Sequence, residues 1–382
     1  MPLIFEKPIG TKDILPEKLE FVKNIITKAK VLLEKWGYEE IETPIVEYHE
    51  TVGFLSKIQD EKLIKFLDPL GKTVILRPDF TAPIARFVSS VYQDASLPVR
   101  LMYQGKVYRN SGHQGIDEMN QIGLELIGLD SLEADAEVIT LAVKLIIECS
   151  SSNFGISIGH TKFLNLLFQE IGCSEDIRSK LFAYLLAHDY VGYKGLVQSL
   201  EINENYQSYL MRVLKLRGTV DDISEGKEWF PDSKEWQQVF RDLADLWGIL
   251  KQYKIAEVVC YDLSLVGRQN YYTGLIYHVY CEGHPYPICS GGRYDGLLQS
   301  FGRRAPATGF AVNIDDLLKV LIKKQITLAE KDKILIIYSE PKRLAAIQTA
   351  EELRSQGKVV IMVLEDTISD NYRKGFREVI RV

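Results

Sequence analysis

A guanidinium, an amide and a carboxylate are spaced along one stretch of this sequence so that together they can grip a small zwitterion. Arg109 follows a strand-like run, and Gln121 and Glu125 lie four residues apart in a second run. Because side chains alternate across a strand, this even spacing puts Gln121 and Glu125 on one face. Arginine binds a carboxylate as a fork, while glutamate and glutamine bind an ammonium. The stretch predicts amino-acid binding, although an exposed hairpin with ordinary polar residues explains the same residue types.

The elements that would position these side chains are the two strands of a hairpin. The runs Val99–Tyr108 and Glu118–Ile127 have the composition of strands, and a glycine-containing loop joins them. We expect the loop to be the segment GHQGIDEM, residues 112–119, whose last four residues are Ile116, Asp117, Glu118 and Met119. The hairpin would then hold Arg109 at the end of one strand, with Gln121 and Glu125 on the other.

Segments on both sides of the hairpin recur in the order and spacing of a known family's motifs. They read GTKDILPEKLEFVKNIITKAKVLLEKWGYEEIETPIVE (Gly10–Glu47), VILRPDFTAPIAR (Val74–Arg86), LVGRQNYYTG (Leu265–Gly274), SGGRYDGL (Ser290–Leu297) and GFAV (Gly309–Val312). With the hairpin, they resemble the signatures of histidyl-tRNA synthetase, a class II aminoacyl-tRNA synthetase. The resemblance spans roughly residues 5–320.

The resemblance implies an α+β fold, namely a class II aminoacyl-tRNA synthetase-like antiparallel sheet flanked by helices. Residues 1–328 would form this core, with a helical insertion at about 159–253, and the first motif, Gly10–Glu47, would form a dimer. Residues 329–382 would form a truncated anticodon-binding-like α/β domain. There, the strand-like runs KILIIYS and KVVIMVL flank a helix that Ser339 and Pro341 are expected to begin.

Carried over position by position, the resemblance implies a histidine-binding pocket. Its candidate residues are Asp79, Thr81, Arg109, Gln121, Glu125, Tyr272 and Tyr294. Asp79 stands where the synthetase usually has glutamate, so it keeps the charge but reaches one methylene less. The tyrosines, Tyr271 among them, offer flat walls and hydroxyls suited to an imidazole, and core aromatic residues with satisfied hydroxyls are the other explanation.

The positions that face ATP in the synthetase depart from its pattern. Neutral or acidic residues, Ile116–Glu118, stand where basic loop residues are expected, and Asp316 replaces an arginine that stacks on adenine. Gly267 replaces an arginine that precedes the paired tyrosines, and Arg268 is displaced by one residue. Losing one donor to a developing charge typically costs about a hundred- to a thousandfold in rate. We therefore expect no adenylate formation.

A synthetase-like chain that keeps its amino-acid half and loses its ATP half resembles the regulatory subunits of short-form ATP phosphoribosyltransferase. That resemblance implies a non-catalytic role in the first step of histidine biosynthesis, with no cofactor. It implies the short-form catalytic subunit and a second copy of this chain as partners, and histidine as effector. Two alternatives stay open, a divergent histidyl-tRNA synthetase and a free-standing amino-acid-binding paralogue. Basic residues at positions 116–118, 267 and 316 would have favoured the synthetase.

Composition restricts the classes of partner and compartment. The formal net charge of −6 argues against a nucleic-acid partner. The five cysteines are scattered without CxxC spacing, which indicates reduced thiols and a cytoplasmic protein. Cys281, His284 and Cys289 lack a fourth ligand at regular spacing, so no metal site is expected. Neither a signal-peptide pattern nor an apolar run long enough for a membrane span is present.

Overall fold

The computed structural model describes residues 3–94, 96–149, 153–267, 271–323, 333–365 and 376–382. The chain divides into two compact units, Met1–Lys324 and Gln325–Val382. Arg268 and the expected boundary between residues 328 and 329 lie outside the described residues.

The first unit mixes strands and helices along the chain. Its strands are β1 (Glu39–Glu40), β2 (Val46–Tyr48), β3 (Lys65–Leu67), β4 (Thr73–Leu76), β5 (Val99–Asn110), β6 (Ile116–Ile127), β7 (Phe154–His160), β8 (Arg217–Gly218), β9 (Val259–Asp262), β10 (Leu275–Cys281), β11 (Cys289–Arg293) and β12 (Ala307–Asn313). Its helices are α1 (Pro16–Glu34), α2 (Thr81–Ser90), α3 (Leu132–Cys149), α4 (Thr161–Ile171), α5 (Glu175–Leu186), α6 (Tyr190–Ser199), α7 (Glu204–Val213), α8 (Val220–Gly226), α9 (Lys234–Gln252), α10 (Leu297–Ser300) and α11 (Ile314–Lys323).

One large sheet organises this unit. Within the described ranges its strand order is β1-β5-β6-β12-β11-β10-β7-β9-β8. The neighbours from β5 to β7 run antiparallel, whereas β1 is parallel to β5 and β9 is parallel to β7. The strands β2, β4 and β3 form a separate small antiparallel sheet. The central antiparallel strands are those that carry the predicted ligand-binding motifs.

The hairpin of β5 and β6 is longer than the sequence predicted. Its pairing extends from Val99 opposite Ile127 to Asn110 opposite Ile116. The predicted loop GHQGIDEM is therefore too long, since Ile116–Met119 lie on β6. The second strand starts at Ile116, two residues before the predicted start at Glu118. The turn is short because Ser111 N–H donates to the carbonyl of Gly115 at 2.9 Å, which closes the hairpin directly. As a result, the alternation of β6 side chains continues without a break from Asp117 to Glu125.

Helices bury their apolar faces against the sheet. α1 contributes Val22, Ile25, Ala29 and Leu33 to the core, which is the spacing of one helical face. α3 is apolar around most of its surface and correspondingly buried along most of its length. Between β7 and β9 the helices α4–α9 pack on one another around aromatic side chains, where Phe163 contacts the rings of Phe230 and Trp236 edge-on.

The second unit is a small parallel sheet with one helix between two of its strands. β13 (Lys333–Tyr338) lies between β14 (Val359–Leu364) and β15 (Glu378–Arg381), and α12 (Arg343–Ser355) connects β13 to β14. The helix was expected to begin at Ser339 and Pro341. Instead, Glu340–Lys342 form a 3₁₀ turn and the Ser339 side chain makes no capping hydrogen bond, so α12 begins at Arg343. No helix in the described parts of either unit is both long and apolar enough to cross a bilayer.

Candidate functional site

The predicted ligand-binding side chains surround one cavity of about 650 Å³ in the first unit. β5 and β6 supply one wall, the start of α2 a second, and the segments before β10 and after β11 a third. The cavity lining includes every candidate, namely Asp79, Thr81, Arg109, Gln121, Glu125, Tyr272 and Tyr294. A single space thus brings together residues that are separated by more than two hundred positions in the sequence.

Glu125 is the most buried ionisable group of this cavity. Only 1% of the residue is exposed. Thr81 donates a hydrogen bond to its Oε1 at 2.9 Å, and Tyr294 donates one to its Oε2 at 2.5 Å. Burial raises the pKa of Glu125 from 4.5 to about 8, since two hydroxyl donors stabilise the carboxylate less than water does. The nearby Asp79 charge raises this pKa further.

Asp79 places a second carboxylate in the same cavity. Its Oδ1 accepts a hydrogen bond from Ala82 N–H at 3.1 Å in the first turn of α2. Its Oδ2 is buried and has no hydrogen-bond partner among the described residues. Burial raises the pKa of Asp79 to about 6, although the Ala82 bond and the Arg109 charge both lower it. The shorter side chain therefore still presents a carboxylate oxygen in need of a donor.

The remaining candidates complete a polar and aromatic enclosure. Arg109, at the end of β5, is held by a hydrogen bond from its Nε to the carbonyl of Pro78 at 3.1 Å. Gln121 lies on β6 on the same face as Glu125. The rings of Tyr271 and Tyr272 lie 5.0 Å apart, and Tyr271 meets Tyr294 edge-on at 5.7 Å. The cavity can thus offer acceptors to an ammonium, a guanidinium to a carboxylate and aromatic walls to a planar ring.

Sequence reasoning missed several lining residues, of which Gly309 and Tyr103 contact the amino-acid side most directly. Gly309 pairs with Glu125 across β12 and β6, and a Cβ at Gly309 would lie 1.8 Å from the Glu125 Oε2 atom. Only glycine therefore leaves room for this carboxylate. Tyr103 lies six residues before Arg109 on β5, and its hydroxyl donates to the Phe310 carbonyl at 3.2 Å. That even spacing was the signal that could have placed Tyr103 on the face of Arg109.

The other half of the cavity is lined by carboxylates. Asp117, Glu118 and Asp316 lie there, as the departures from the synthetase pattern predicted, and Asp315 joins them. Lysines neutralise part of this charge, with nitrogen–oxygen distances of 2.6 Å for Lys106–Glu118 and Lys319–Asp316 and 3.1 Å for Lys12–Asp315. Since each of these lysines already pairs with a carboxylate, this half presents no excess of positive charge to a polyphosphate.

Side chains of its neighbours occupy the space next to Gly267, so a larger residue there would require them to shift. A Cβ at this position would lie 2.7 Å from Ile276 Cδ1 and 2.7 Å from Tyr272 Cδ2. Gly267 does not line the cavity, and neither does Ile116. Of the described positions expected to have lost contact with ATP, therefore, Asp117, Glu118 and Asp316 line the cavity.

Comparison with known sequences identifies consistent relatives. The model of a family described as histidyl-tRNA synthetase matches residues 10–317. The ATP phosphoribosyltransferase regulatory subunit of Geobacillus kaustophilus is 40% identical over 361 residues, which covers 94% of this chain and 91% of the relative. The protein of the same name from Bacillus subtilis is 38% identical over 361 residues, with the same coverage of 94% and 91%.

Solved structures agree with these sequences. A crystal structure described as an ATP phosphoribosyltransferase regulatory subunit/histidyl-tRNA synthetase from Bacillus halodurans superposes with a TM-score of 0.91 at 37% identity. It covers 100% of this chain and 99% of that one. Histidyl-tRNA synthetase from Nostoc sp. PCC 7120 superposes with a TM-score of 0.81 at 22% identity, covering 98% and 89%, and shows the fold alone. The predicted class II synthetase-like α+β fold is confirmed.

The raised pKa of Glu125 predicts a stability that depends on pH in the unliganded protein. Between about pH 4.5 and 8 the folded chain holds a proton on Glu125 that the unfolded chain releases. Its contribution is therefore complete below pH 4.5 and is lost as pH rises through 8. We expect Glu125→Gln to reduce the fall in the free energy of unfolding between pH 5 and pH 8.5, by up to about 4 kcal/mol. Urea unfolding at each pH measures this.

The control is Glu340→Gln, because Glu340 is exposed and its partner among the described ion pairs is the exposed Arg343. This variant should keep the wild-type pH dependence. If Glu125→Gln and wild type lose stability in parallel as pH rises, Glu125 is already ionised in the folded chain and the explanation by burial is wrong.

Proposed function

The chain belongs to the family of ATP phosphoribosyltransferase regulatory subunits, and on that basis we propose that it controls a short-form catalytic subunit without catalysing a reaction itself. The catalytic subunit needs it for activity, and free histidine acts through it as feedback effector in the first step of histidine biosynthesis. The observation that carries this proposal is the division of one cavity. Its amino-acid side keeps Asp79, Glu125 and Arg109, while its nucleotide side is acidic.

Histidine fits the amino-acid side because each of its groups meets a partner of suitable chemistry. The ammonium would lie beside the two buried carboxyl groups, Asp79 and Glu125. Its positive charge would stabilise their ionised forms, which burial disfavours. Asp79 Oδ2 offers an acceptor without a donor among the described residues. Charge-assisted hydrogen bonds of this kind are about twice as strong as neutral ones. The ligand's carboxylate faces Arg109, and Tyr272 and Tyr294 enclose the imidazole.

The nucleotide side makes adenylation unfavourable for an electrostatic reason. A triphosphate there would approach Asp117, Glu118, Asp315 and Asp316, against two lining lysines, Lys12 and Lys319. Each unscreened pair of like charges 4 Å apart costs about 4 kcal/mol near a protein surface. No arginine remains at position 267 or 316 to offset this cost.

We therefore expect no histidine-dependent pyrophosphate exchange from the purified chain. The assay measures incorporation of labelled pyrophosphate into ATP with and without histidine, beside a histidyl-tRNA synthetase as positive control. Exchange above background that requires histidine would overturn the proposal and favour a divergent synthetase.

Assembly with partners is the second part of the proposal. Within the predicted dimer motif, the apolar side chains of Leu15, Leu19, Ile45 and Val46 are exposed. Exposed apolar groups of this kind are typical of contact surfaces, and we assign them to a contact between two copies of this chain. The assembly with the catalytic subunit is placed in the cytoplasm, because the spacing of the cysteines does not suggest a disulfide framework.

Sedimentation of the isolated chain tests the dimer. We expect a dimer at micromolar concentration, and a shift toward monomer for the double variant Leu15→Glu, Ile45→Glu, because burying two carboxylates in an apolar contact is costly. Val191→Glu is the control, since Val191 is exposed in the helical insertion and outside the motif. A wild-type chain that sediments as a monomer contradicts the dimer.

Glu125 is the residue whose change tests histidine binding most directly. Glu125→Gln keeps the shape but loses the charge that faces the ammonium, and a charged hydrogen bond contributes about 1.5–3 kcal/mol. We expect histidine to bind roughly ten- to a hundredfold more weakly, with the fold and the binding of the catalytic subunit intact. Calorimetry on the isolated chain and inhibition assays on the reconstituted complex measure the two effects.

Asp117→Asn is the matched control, because Asp117 lies on the same strand and faces the same cavity. It is eight residues from Glu125, which corresponds to about 26 Å along a strand. Histidine affinity should be unchanged in this variant. If Glu125→Gln also leaves both affinity and feedback inhibition unchanged, histidine acts at another site.

A further inference from the structure

The segment before α1 is hydrogen-bonded to the hairpin of β5 and β6, which lines the cavity. Ile116 N–H, at the start of β6, donates a hydrogen bond to the Ile9 carbonyl at 2.9 Å. A Cβ at Gly10 would lie 2.3 Å from the Ile116 carbonyl oxygen, and one at Gly115 would lie 2.2 Å from the Ile9 carbonyl oxygen. Both glycines have φ near +80°, at +87° and +80°. The two backbones therefore approach more closely than side chains allow. We call the segment Ile9–Lys12 the arm.

The arm is also held by its last residue. Lys12 Nζ lies 3.1 Å from the Oδ2 atom of Asp315, in the first turn of α11. The Asp315 side chain is only 9% exposed, whereas that of Lys12 is 43% exposed. Lys12 thus reaches from the surface to a mostly buried carboxylate. Removing its charge would break the ion pair of a poorly solvated carboxylate, which costs more than breaking an exposed pair.

Asp315 also contacts β6, the strand that carries Gln121 and Glu125. Its Oδ2 accepts from the backbone N–H of Asn120 at 3.0 Å, and its Oδ1 accepts from Asn120 Nδ2 at 3.2 Å. The next residue on β6 is Gln121, which pairs with Asn313 at the end of β12. Asp315 therefore continues the attachment of β6 beyond the last paired residue of β12, and fixes the backbone where Gln121 leaves it.

From these contacts we infer that Lys12 is a positioning residue: through Asp315 and Asn120 it holds β6 in the place where Gln121 and Glu125 meet the ligand. This inference rests on the proposed binding of histidine. It adds to the proposal a link between the pocket and the arm, because Lys12 belongs to the arm and the arm precedes α1. Coupling between two sites is reciprocal, so an arm that strengthens histidine binding must itself be held more firmly when histidine is bound.

An ion pair that flanks the arm supplies the control. Lys7 pairs with Asp13 at 3.0 Å, but both side chains are well exposed and neither residue lines the cavity. An exposed pair of this kind contributes about 0–1 kcal/mol. Lys7→Ala therefore removes the same charge near the same segment without touching Asp315. Lys12→Arg keeps a cation that can reach Asp315 and is the rescue variant.

The experiment compares histidine affinity by calorimetry in wild type, Lys12→Ala, Lys12→Arg and Lys7→Ala, all as the full chain. We expect about fivefold or greater weakening in Lys12→Ala, which is the usual size of coupling between sites. Affinity should return toward wild type in Lys12→Arg and stay within about twofold in Lys7→Ala. Urea unfolding of each variant shows whether the fold is kept.

Hydrogen exchange distinguishes a positioning role of Lys12 from a general loss of stability. The Ile116 amide is the reporter, because its hydrogen bond to Ile9 exists only while the arm is docked. Histidine should slow its exchange in wild type and in Lys7→Ala, but much less in Lys12→Ala at concentrations that saturate each variant.

The outcomes separate this inference from the proposal on which it rests. If wild type binds histidine and Lys12→Ala binds it equally well, Lys12 only supports the fold and the inference is wrong. The inference is also wrong if Lys7→Ala weakens binding as much as Lys12→Ala. If wild type gives no binding heat and no change at the Ile116 amide, the proposed function fails, and this positioning role fails with it.

Discussion

The structure around the cavity depends on the burial of one carboxyl group, to which the described residues supply hydroxyl donors but no cation. Glu125 receives hydrogen bonds from Thr81 and Tyr294 and is almost completely excluded from solvent. Burial with only neutral donors raises the pKa of Glu125 to about 8, so the unliganded protein keeps a proton on this group at neutral pH. The absence of a side chain at Gly309 shows how closely the sheet is fitted to this group. An amino-acid ammonium is the simplest partner of matching charge and size.

The same constraint explains how a synthetase-like cavity can serve regulation. An enzyme must stabilise charge that develops on a phosphate, so it needs cations aimed at the nucleotide. A sensor needs only a difference in affinity between two states of the protein. In the proposed function, the ligand's charges complete those of the amino-acid side, whereas on the other side of the cavity lysines already pair with Glu118, Asp315 and Asp316.

Strand periodicity predicted those parts of the site whose residues lie close together in the sequence. The even spacing of Gln121 and Glu125 was enough to place both on one face of β6, and Arg109 followed from the end of β5. Asp79, Thr81, Tyr272 and Tyr294 came from resemblance to a family, because nothing in their own neighbourhoods indicates that they meet. The hairpin loop was predicted too long, since the turn chemistry around Gly112 and Gly115 was not recognised. The contact of Lys12 with Asp315 joins positions 303 residues apart, and no periodicity in the sequence reports such a pairing.

The volume of the cavity has a consequence for the chemistry of effectors. At about 650 Å³ the space is far larger than one amino acid, so a ligand seated on Glu125 and Asp79 leaves the acidic side filled with water. A histidine derivative extended from its carboxylate, such as an amide with a short amine tail, would displace that water and meet Asp117 or Asp316. Extensions carrying phosphate or sulfonate would be repelled there. If histidine binds as proposed, synthetic ligands with a tail would therefore be selected by the sign of the charge on that tail, which histidine does not have.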